Sequence, residues 1–130
     1  MTLRSEIFDA VTGDVTVGAL IGVRCYPDRL PENVTLPAVS YIAHVSQNDA
    51  DYRTHDTGTV PRTVARTQFN CYAATGDDAD ELASAVEDLW SGYKDGCTIG
   101  WAQIANRVDR YEPALNRHRV IVDVMVEHAR

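Results

Sequence analysis

A single change of hydrophobic period, near Thr75, constrains the fold of this chain more than any other feature. Before Thr75 the side chains alternate, and one face of the predicted strand consists of Thr67, Phe69, Cys71 and Ala73. After Thr75 the apolar residues recur at the spacing of an amphipathic helix: Leu82, Val86, Leu89 and Tyr93. A strand that runs directly into such a helix is expected to carry the helix on its own sheet.

The junction between this strand and this helix has the chemistry of a helix start. Thr75 or Asp77 can accept hydrogen bonds from the free N–H groups of the first turn. The acidic run that follows consists of Asp77, Asp78, Asp80 and Glu81. These carboxylates fit either the positive end of the helix dipole or a cation site, and we favour the dipole because first turns are commonly acidic.

The rest of the pattern predicts one α+β domain over residues 1–130. It indicates a helix over 3–12, a tight helical turn or buried elbow at 18–22, and strands over 38–47, 98–111 and 117–128. Three prolines, at 27, 31 and 37, argue against regular structure between them. Residues 48–61 lack periodicity and are predicted to form a long loop. We therefore expect a four-stranded, mostly antiparallel sheet with two helices packed on one face and this long loop between the first two strands.

Composition and charge argue against several classes of function. The net charge of −7 opposes binding to DNA or RNA through phosphate contacts. No apolar run has the length of a membrane span, and the first residues lack the pattern of a signal peptide. We therefore expect a chain that neither enters a membrane nor leaves the cytoplasm by a standard secretory route.

The chain offers little that resembles a catalytic or metal site. Its four histidines lack the HxH or HxxxH spacing of a metal site, and its three cysteines have no CxxC pair. Cys71 is expected to be a buried, unreactive thiol, because it shares a strand face with Phe69. No nucleophile elbow, phosphate-binding loop or dinucleotide motif occurs. We predict no enzymatic activity, no cofactor and no metal.

Arginines at the ends of the predicted strands are the most suggestive surface feature. Arg62 and Arg66 lie at the start of one strand, and Arg117 and Arg119 open the last strand. Arginines that alternate along neighbouring strands, with carboxylates nearby, suit a polar protein–protein interface. They suit a solvated sheet face equally well, and both interpretations stay open.

Several short motifs, in their order and spacing, resemble the tail-completion or tail-terminator family of long-tailed viruses. They are Tyr26-Pro27 after an N-terminal helical segment, the Leu-Pro and strand at 36–41, the strand ARTQFNCYA at 65–73 with its helix DDADELASAVEDLW, and DRYEP at 109–113 before the alternating last strand. The resemblance extends from about residue 7 to about residue 126, and no motif is recognised at 13–24 or 48–61.

The resemblance implies a structural virion protein without enzymatic activity. Such a protein caps the tail tube as a homo-oligomeric ring, expected to be a hexamer, ends tube polymerisation and provides the surface that joins the head. Its implied partners are the major tail tube protein, the head–tail connector or stopper protein and the tape-measure protein. It would reside at the head-proximal end of the virion tail, after assembly in the host cytoplasm, while DNA passes through its channel without specific binding.

In this interpretation, residues 48–61 form an arm toward a neighbouring subunit or the tube. The candidate interface residues are Asp51, Tyr52, Arg53, His55, Asp56, Arg62, Arg66, Gln68, Arg117 and Arg119. Two other classes of function remain. A small dimeric α+β domain that binds a ligand or acts in regulation would have an enclosed apolar pocket, and an enzyme would use Cys71 or a histidine with Asp123.

Overall fold

The computed structural model describes the backbone of residues 2–54, 58–94 and 98–129, and the side chains of these residues except 49–62 and 129. Within that part of the chain it has three helices and five strands. In chain order they are α1 (Leu3–Gly13), α2 (Val15–Ile21), β1 (Cys25–Pro27), β2 (Ala38–Thr54), β3 (Gly58–Ala73), α3 (Gly76–Trp90), β4 (Ile99–Glu112) and β5 (Arg117–Ala129). The predicted α+β class is confirmed.

The strands form one sheet in the order β1-β2-β3-β5-β4, so β3 lies at its centre. The prediction of four strands was wrong, because β1 adds a fifth, parallel to β2, through the pairs from Cys25 with Val39 to Pro27 with Tyr41. The other three pairings are antiparallel. A proline is compatible with β1 because this strand lies at the edge of the sheet, where one side of the backbone needs no partner.

The prediction of a long loop at 48–61 was also wrong. β2 and β3 pair as a hairpin as far as Thr54 with Gly58, and only residues 55–57 between them lie outside the described residues. The pairing of β5 with β3 reaches only Arg62 with Ala129. We call residues 51–61 the arm. Its described rows are a two-stranded ribbon that extends past the last row shared with β5 by about 14 Å.

The N-terminal part contains two helices where one helix and a tight turn were predicted. Asp14 ends α1, and its carboxylate accepts a hydrogen bond of 3.0 Å from the backbone N–H of Val17 in the first turn of α2. A single residue that ends one helix and caps the next lets the chain turn sharply without leaving free N–H groups. The chain therefore has three helices in the described residues, not the two predicted.

The helices pack on one face of the sheet, and the strand–helix unit at its centre confirms the predicted period change. The Thr75 side chain caps α3, which begins at Gly76. The ring of Phe69 on β3 stacks on Trp90 at the end of α3, with 5.5 Å between centroids, and both side chains are fully buried. Tyr41 of β2, the cross-strand partner of Phe69, also contacts this ring, with 6.5 Å between centroids. These aromatic contacts connect the sheet to the helix layer.

A bulge in β2 interrupts the pairing of β2 with β3. Ile42 pairs with Gln68, and the next pair joins Ser46 to Arg66, so three residues of β2 lie opposite Thr67. The hydroxyl of Thr67 is buried and donates a hydrogen bond of 2.9 Å to the carbonyl oxygen of Ala43 within the bulge. Bulges redirect side chains, and this hydrogen bond holds the redirected segment in place.

Replacing Thr67 with valine tests how much this hydrogen bond contributes. Valine keeps the volume but removes the donor to Ala43, so we expect the free energy of unfolding to fall by about 1–2 kcal/mol. Thr16→Val, at an exposed position of α2, is the matched control and should change stability by less than about 0.5 kcal/mol. Urea unfolding followed by circular dichroism measures both. Equal midpoints for Thr67→Val and the parent would contradict the assigned role.

Candidate assembly surface

The face of the sheet opposite the helices is the open face, and four of the candidate interface residues lie on it. Alternation along β3 and β5 fixes this placement, because Phe69 and Val122 of the same two strands point into the core. The four residues are Arg66, Gln68, Arg117 and Arg119. In the register, Gln68 lies opposite Asp123, and Arg119 lies opposite Tyr72.

Two of these arginines pair within the chain. Arg66 bonds Asp123 with 2.8 Å between Nη2 and Oδ2, where the arginine side chain is 39% exposed and the carboxylate 14%. Arg117 bonds Glu112 with 2.7 Å between Nε and Oε1, and its guanidinium lies 4.4 Å from the centre of the Tyr72 ring. The charge of both arginines is therefore already partly neutralised within the chain.

Arg119 differs from them. Its Nε atom is buried and has no hydrogen-bond partner in the described part of the chain, and the buried hydroxyl of Ser40, also on the open face, likewise has none. A buried donor without a partner is unfavourable, which makes these two atoms unusual for a well-packed surface. They distinguish this part of the open face from a surface already satisfied within the chain.

A groove lies beside the open face, next to the turn between β4 and β5. Its volume is about 520 Å³, and it is lined by Leu30, Pro31, Glu32, Asn33, Val34, Leu36, Leu115 and Arg117. Leu115 is 61% exposed, which is unusual for a large apolar side chain. Sequence reasoning missed this groove. The only signal was the set of isolated leucines and one valine within a proline-rich segment and a turn, which no periodic pattern picks out.

The remaining six candidates belong to the arm or its base. Asp51, Tyr52 and Arg53 lie in its β2 strand, and Arg62 pairs with Ala50 where the arm leaves the sheet. Their side chains are not described. His55 and Asp56 lie outside the described residues. The arm is at the end of β3 that begins with Gly58, whereas the groove is near the Ala73 end, so the two features lie at opposite ends of the sheet.

The structure gives no support to the catalytic alternatives. Cys71 is fully buried, and this burial raises the pKa of its thiol far above the ordinary value; burial also raises the pKa of Cys25 to about 12. Both thiols therefore stay protonated and unreactive at neutral pH. Asp123 pairs with Arg66 on the open face, whereas His128 alternates to the helix side with the core valines of β5.

The acidic run after Thr75 takes part in helix capping and in contacts within the chain. The Thr75 hydroxyl accepts a hydrogen bond from the N–H of Asp78 at 3.2 Å. Arg107 of β4 bonds Asp80 at 3.1 Å and Glu87 at 2.8 Å, which fastens the outer face of α3 to the sheet. Partial burial alone would lower the pKa of Arg107, but the two carboxylates outweigh it and raise the pKa. Sequence reasoning missed this role of Arg107.

None of the helices seen is both long and apolar enough to cross a membrane. In residues 2–54, 58–94 and 98–129, no group of three or more His, Cys, Asp or Glu side chains lies together in a way that could hold a metal ion.

Arg66→Met and Arg119→Met compare a paired arginine with one whose Nε has no partner. Arg66→Met leaves the mostly buried Asp123 without its cation, and we expect a loss of about 0.5–1 kcal/mol in the free energy of unfolding. Arg119→Met removes an unsatisfied donor and keeps a long apolar stem, so stability should be unchanged or slightly higher. Urea unfolding of the two variants in parallel checks that Arg66→Met loses more free energy of unfolding than Arg119→Met. A larger loss for Arg119→Met would contradict the interpretation.

Comparisons with known proteins give the family of this chain and a solved structure of similar fold. The family model described as tail completion protein gp17 matches residues 5–128. Among solved structures, a chain described as the virion of a native gene transfer agent (GTA) particle is similar, with a TM-score of 0.69 and 15% sequence identity over 95% of this chain and 92% of that chain. At this identity the likeness shows a shared fold. No curated protein matches the chain.

The family match spans nearly all of the three helices and five strands, including the open face and the arm. The chain belongs to the family of tail completion proteins described as gp17, and it is a structural protein of the virion tail.

Proposed function

We propose that this protein forms a ring at the head-proximal end of the tail, ends polymerisation of the tail tube and provides the surface to which the head joins. The observation that carries the proposal is the arm, whose rows beyond Arg62 pair as only two strands. An isolated two-stranded ribbon is marginally stable in water, and its outer edges present free N–H and C=O groups. A neighbouring molecule that covers this ribbon or adds a strand to it would stabilise the ribbon and pair its free backbone groups.

The position of the arm supports assembly into a ring. A closed ring of identical subunits needs two different, complementary surfaces on each copy. The arm leaves one end of the sheet at Arg62, and the groove around Leu115 lies near the other end, about 37 Å away along β3 by strand geometry. We expect six copies, with the arm contacting the next subunit or the last ring of the tube protein.

The open face is the second contact surface in this proposal. Its arginines lie beside carboxylates, and the half-buried side chains of Arg66 and Arg119 can donate hydrogen bonds from their guanidinium groups when another molecule binds. We assign this face to a head-side connector or stopper protein. The tape-measure protein is a further expected contact inside the tail.

The charge of the subunit suits a passage for DNA. A ring of chains with a net charge of −7 each repels phosphates, so DNA can pass without being held. The alternative of a small dimeric ligand-binding domain gains no support from the groove, because the groove opens to solvent beside the 61%-exposed Leu115 and is not enclosed.

Removal of the arm tests the proposal. Ala50 and Arg62 are direct partners across β2 and β3, so residues 51–61 can be replaced by Asn-Gly, which favours a two-residue hairpin turn. The shortened chain should fold with a thermal midpoint within a few degrees of the parent, because the deleted rows pair with no third strand. In a virus that depends on this protein, we expect tails of abnormal length or tails that fail to join heads, seen by electron microscopy.

The matched control replaces only residues 55–57 with Asn-Gly and keeps every described row of the arm. This variant should give many more joined particles than the complete deletion. Normal virions from the complete deletion, at parental yield, would show that the arm has no part in assembly.

Arg119→Met tests the open face separately from stability. Because Arg119 Nε has no hydrogen-bond partner among the described residues, this variant should stay folded. It should nevertheless lose a contact to the neighbouring virion protein, which we expect to lower the yield of joined particles at least about tenfold. Arg4→Met is the control, since Arg4 is an exposed residue of α1, in the helix layer on the other side of the sheet. A yield from Arg119→Met equal to the yield from this control would remove the open face from the proposal.

A further inference from the structure

Two histidines that are distant in the sequence meet on the helix side of the sheet. His44 lies in the bulge of β2, and His128 lies near the end of β5. Their Nε2 atoms are 3.4 Å apart, their ring centroids are 5.4 Å apart, and the rings are inclined at 64°. The strand β3 separates β2 from β5, so both side chains reach across it to make this contact.

We propose that His44 and His128 bind a divalent transition-metal ion of the zinc type through their Nε2 atoms. Tetrahedral zinc with bonds of about 2.05 Å holds two ligand nitrogens about 3.3 Å apart. The centroids of two imidazoles bound in this way are separated by about 5.2 Å. The observed 3.4 Å and 5.4 Å therefore agree with both distances of such a pair.

A direct N–H···N hydrogen bond is the competing explanation of the same contact. Hydrogen bonds from N–H donors have donor–acceptor distances of about 2.7–3.2 Å, so 3.4 Å is long for one. A linear hydrogen bond would also align the rings and place the centroids about 5.7 Å apart. The shorter centroid distance shows that the two rings bend toward a common point beside the line between the nitrogens.

The sheet holds the two ligands in this arrangement before any metal arrives. His128 is 7% exposed and pairs with both Thr63 and Ile99 in the register, so its position is fixed from two sides. The bulge that directs His44 is held by the hydrogen bond from Thr67 to Ala43. Preorganised ligands bind metal without a further loss of conformational entropy.

Within the described residues, the pair leaves two of four coordination positions for water. His44 is exposed, so the ion can enter from its side. In the described residues no third His, Cys, Asp or Glu joins the pair. Imidazole nitrogens suit zinc, nickel and copper, which defines the class of ion. Arg4 of α1 is close enough to act electrostatically on His44, and its positive charge weakens the site.

Zinc titration of the full chain without a histidine tag, after removal of metal by a chelator, tests the proposal. We expect one zinc ion per chain by isothermal titration calorimetry and a higher thermal midpoint with zinc. His44→Gln should weaken zinc binding by at least about tenfold and abolish the increase in midpoint. Because His44 is exposed, this variant does not put folding at risk. Arg4→Gln should tighten binding, a change that a purely structural role of the histidines does not produce.

His118→Gln is the matched control. His118 also lies on β5, but its ring contacts Tyr111 at 4.8 Å, so zinc binding should equal that of the parent. Cys97 is present in every variant and cannot account for a difference between them. If His44→Gln binds zinc as tightly as the parent, or if the parent binds none, the contact is only a hydrogen bond and the proposal is wrong.

Discussion

The stacking of Phe69 on Trp90 is the contact on which the arrangement of this molecule depends. It fixes which face of the central strand is covered by α3. Because side chains alternate along a strand, the same contact fixes which residues of β3 and its two neighbours point away from the helices. A slip of one residue would exchange the two faces. The open face with Arg66 and Arg119 therefore follows from a core contact on the opposite side of the sheet.

The strand–helix unit could be predicted from the sequence because a core imposes its period on both elements. Phe69 and Leu82 are buried, and each belongs to a pattern that burial requires. The arm had no such signal, because its described rows pair as a ribbon without a third strand. The first strand, Cys25–Pro27, is too short for any period to show. Its parallel pairing with β2 is visible only in the structure.

The sequence could predict which residues form the candidate surface, but not which of their polar atoms are paired within the chain. Alternation placed Arg66, Gln68 and Arg119 on one face, and the structure brings them together there. Nothing in the sequence distinguishes Arg66, which pairs with Asp123, from Arg119, whose Nε has no hydrogen-bond partner in the part of the chain that the structure describes. The histidine pair was equally hidden, since its members are separated by 84 positions and meet only because a bulge redirects one of them.

The charge of the subunit limits which contacts can drive its assembly. Copies that each carry a net charge of −7 repel one another, and the repulsion extends about 8 Å at physiological salt. Arg66 and Arg117 are already paired within the chain, so they offer a neighbour little net attraction. Among the described residues, the remaining contact groups are the backbone edge of the arm, the exposed Leu115 and Arg119, whose Nε has no hydrogen-bond partner there. Such contacts stabilise a complex only when geometry and surface match closely. An acidic subunit of this kind should therefore associate when a completed tube end presents a matching surface, and much less readily with free copies of itself.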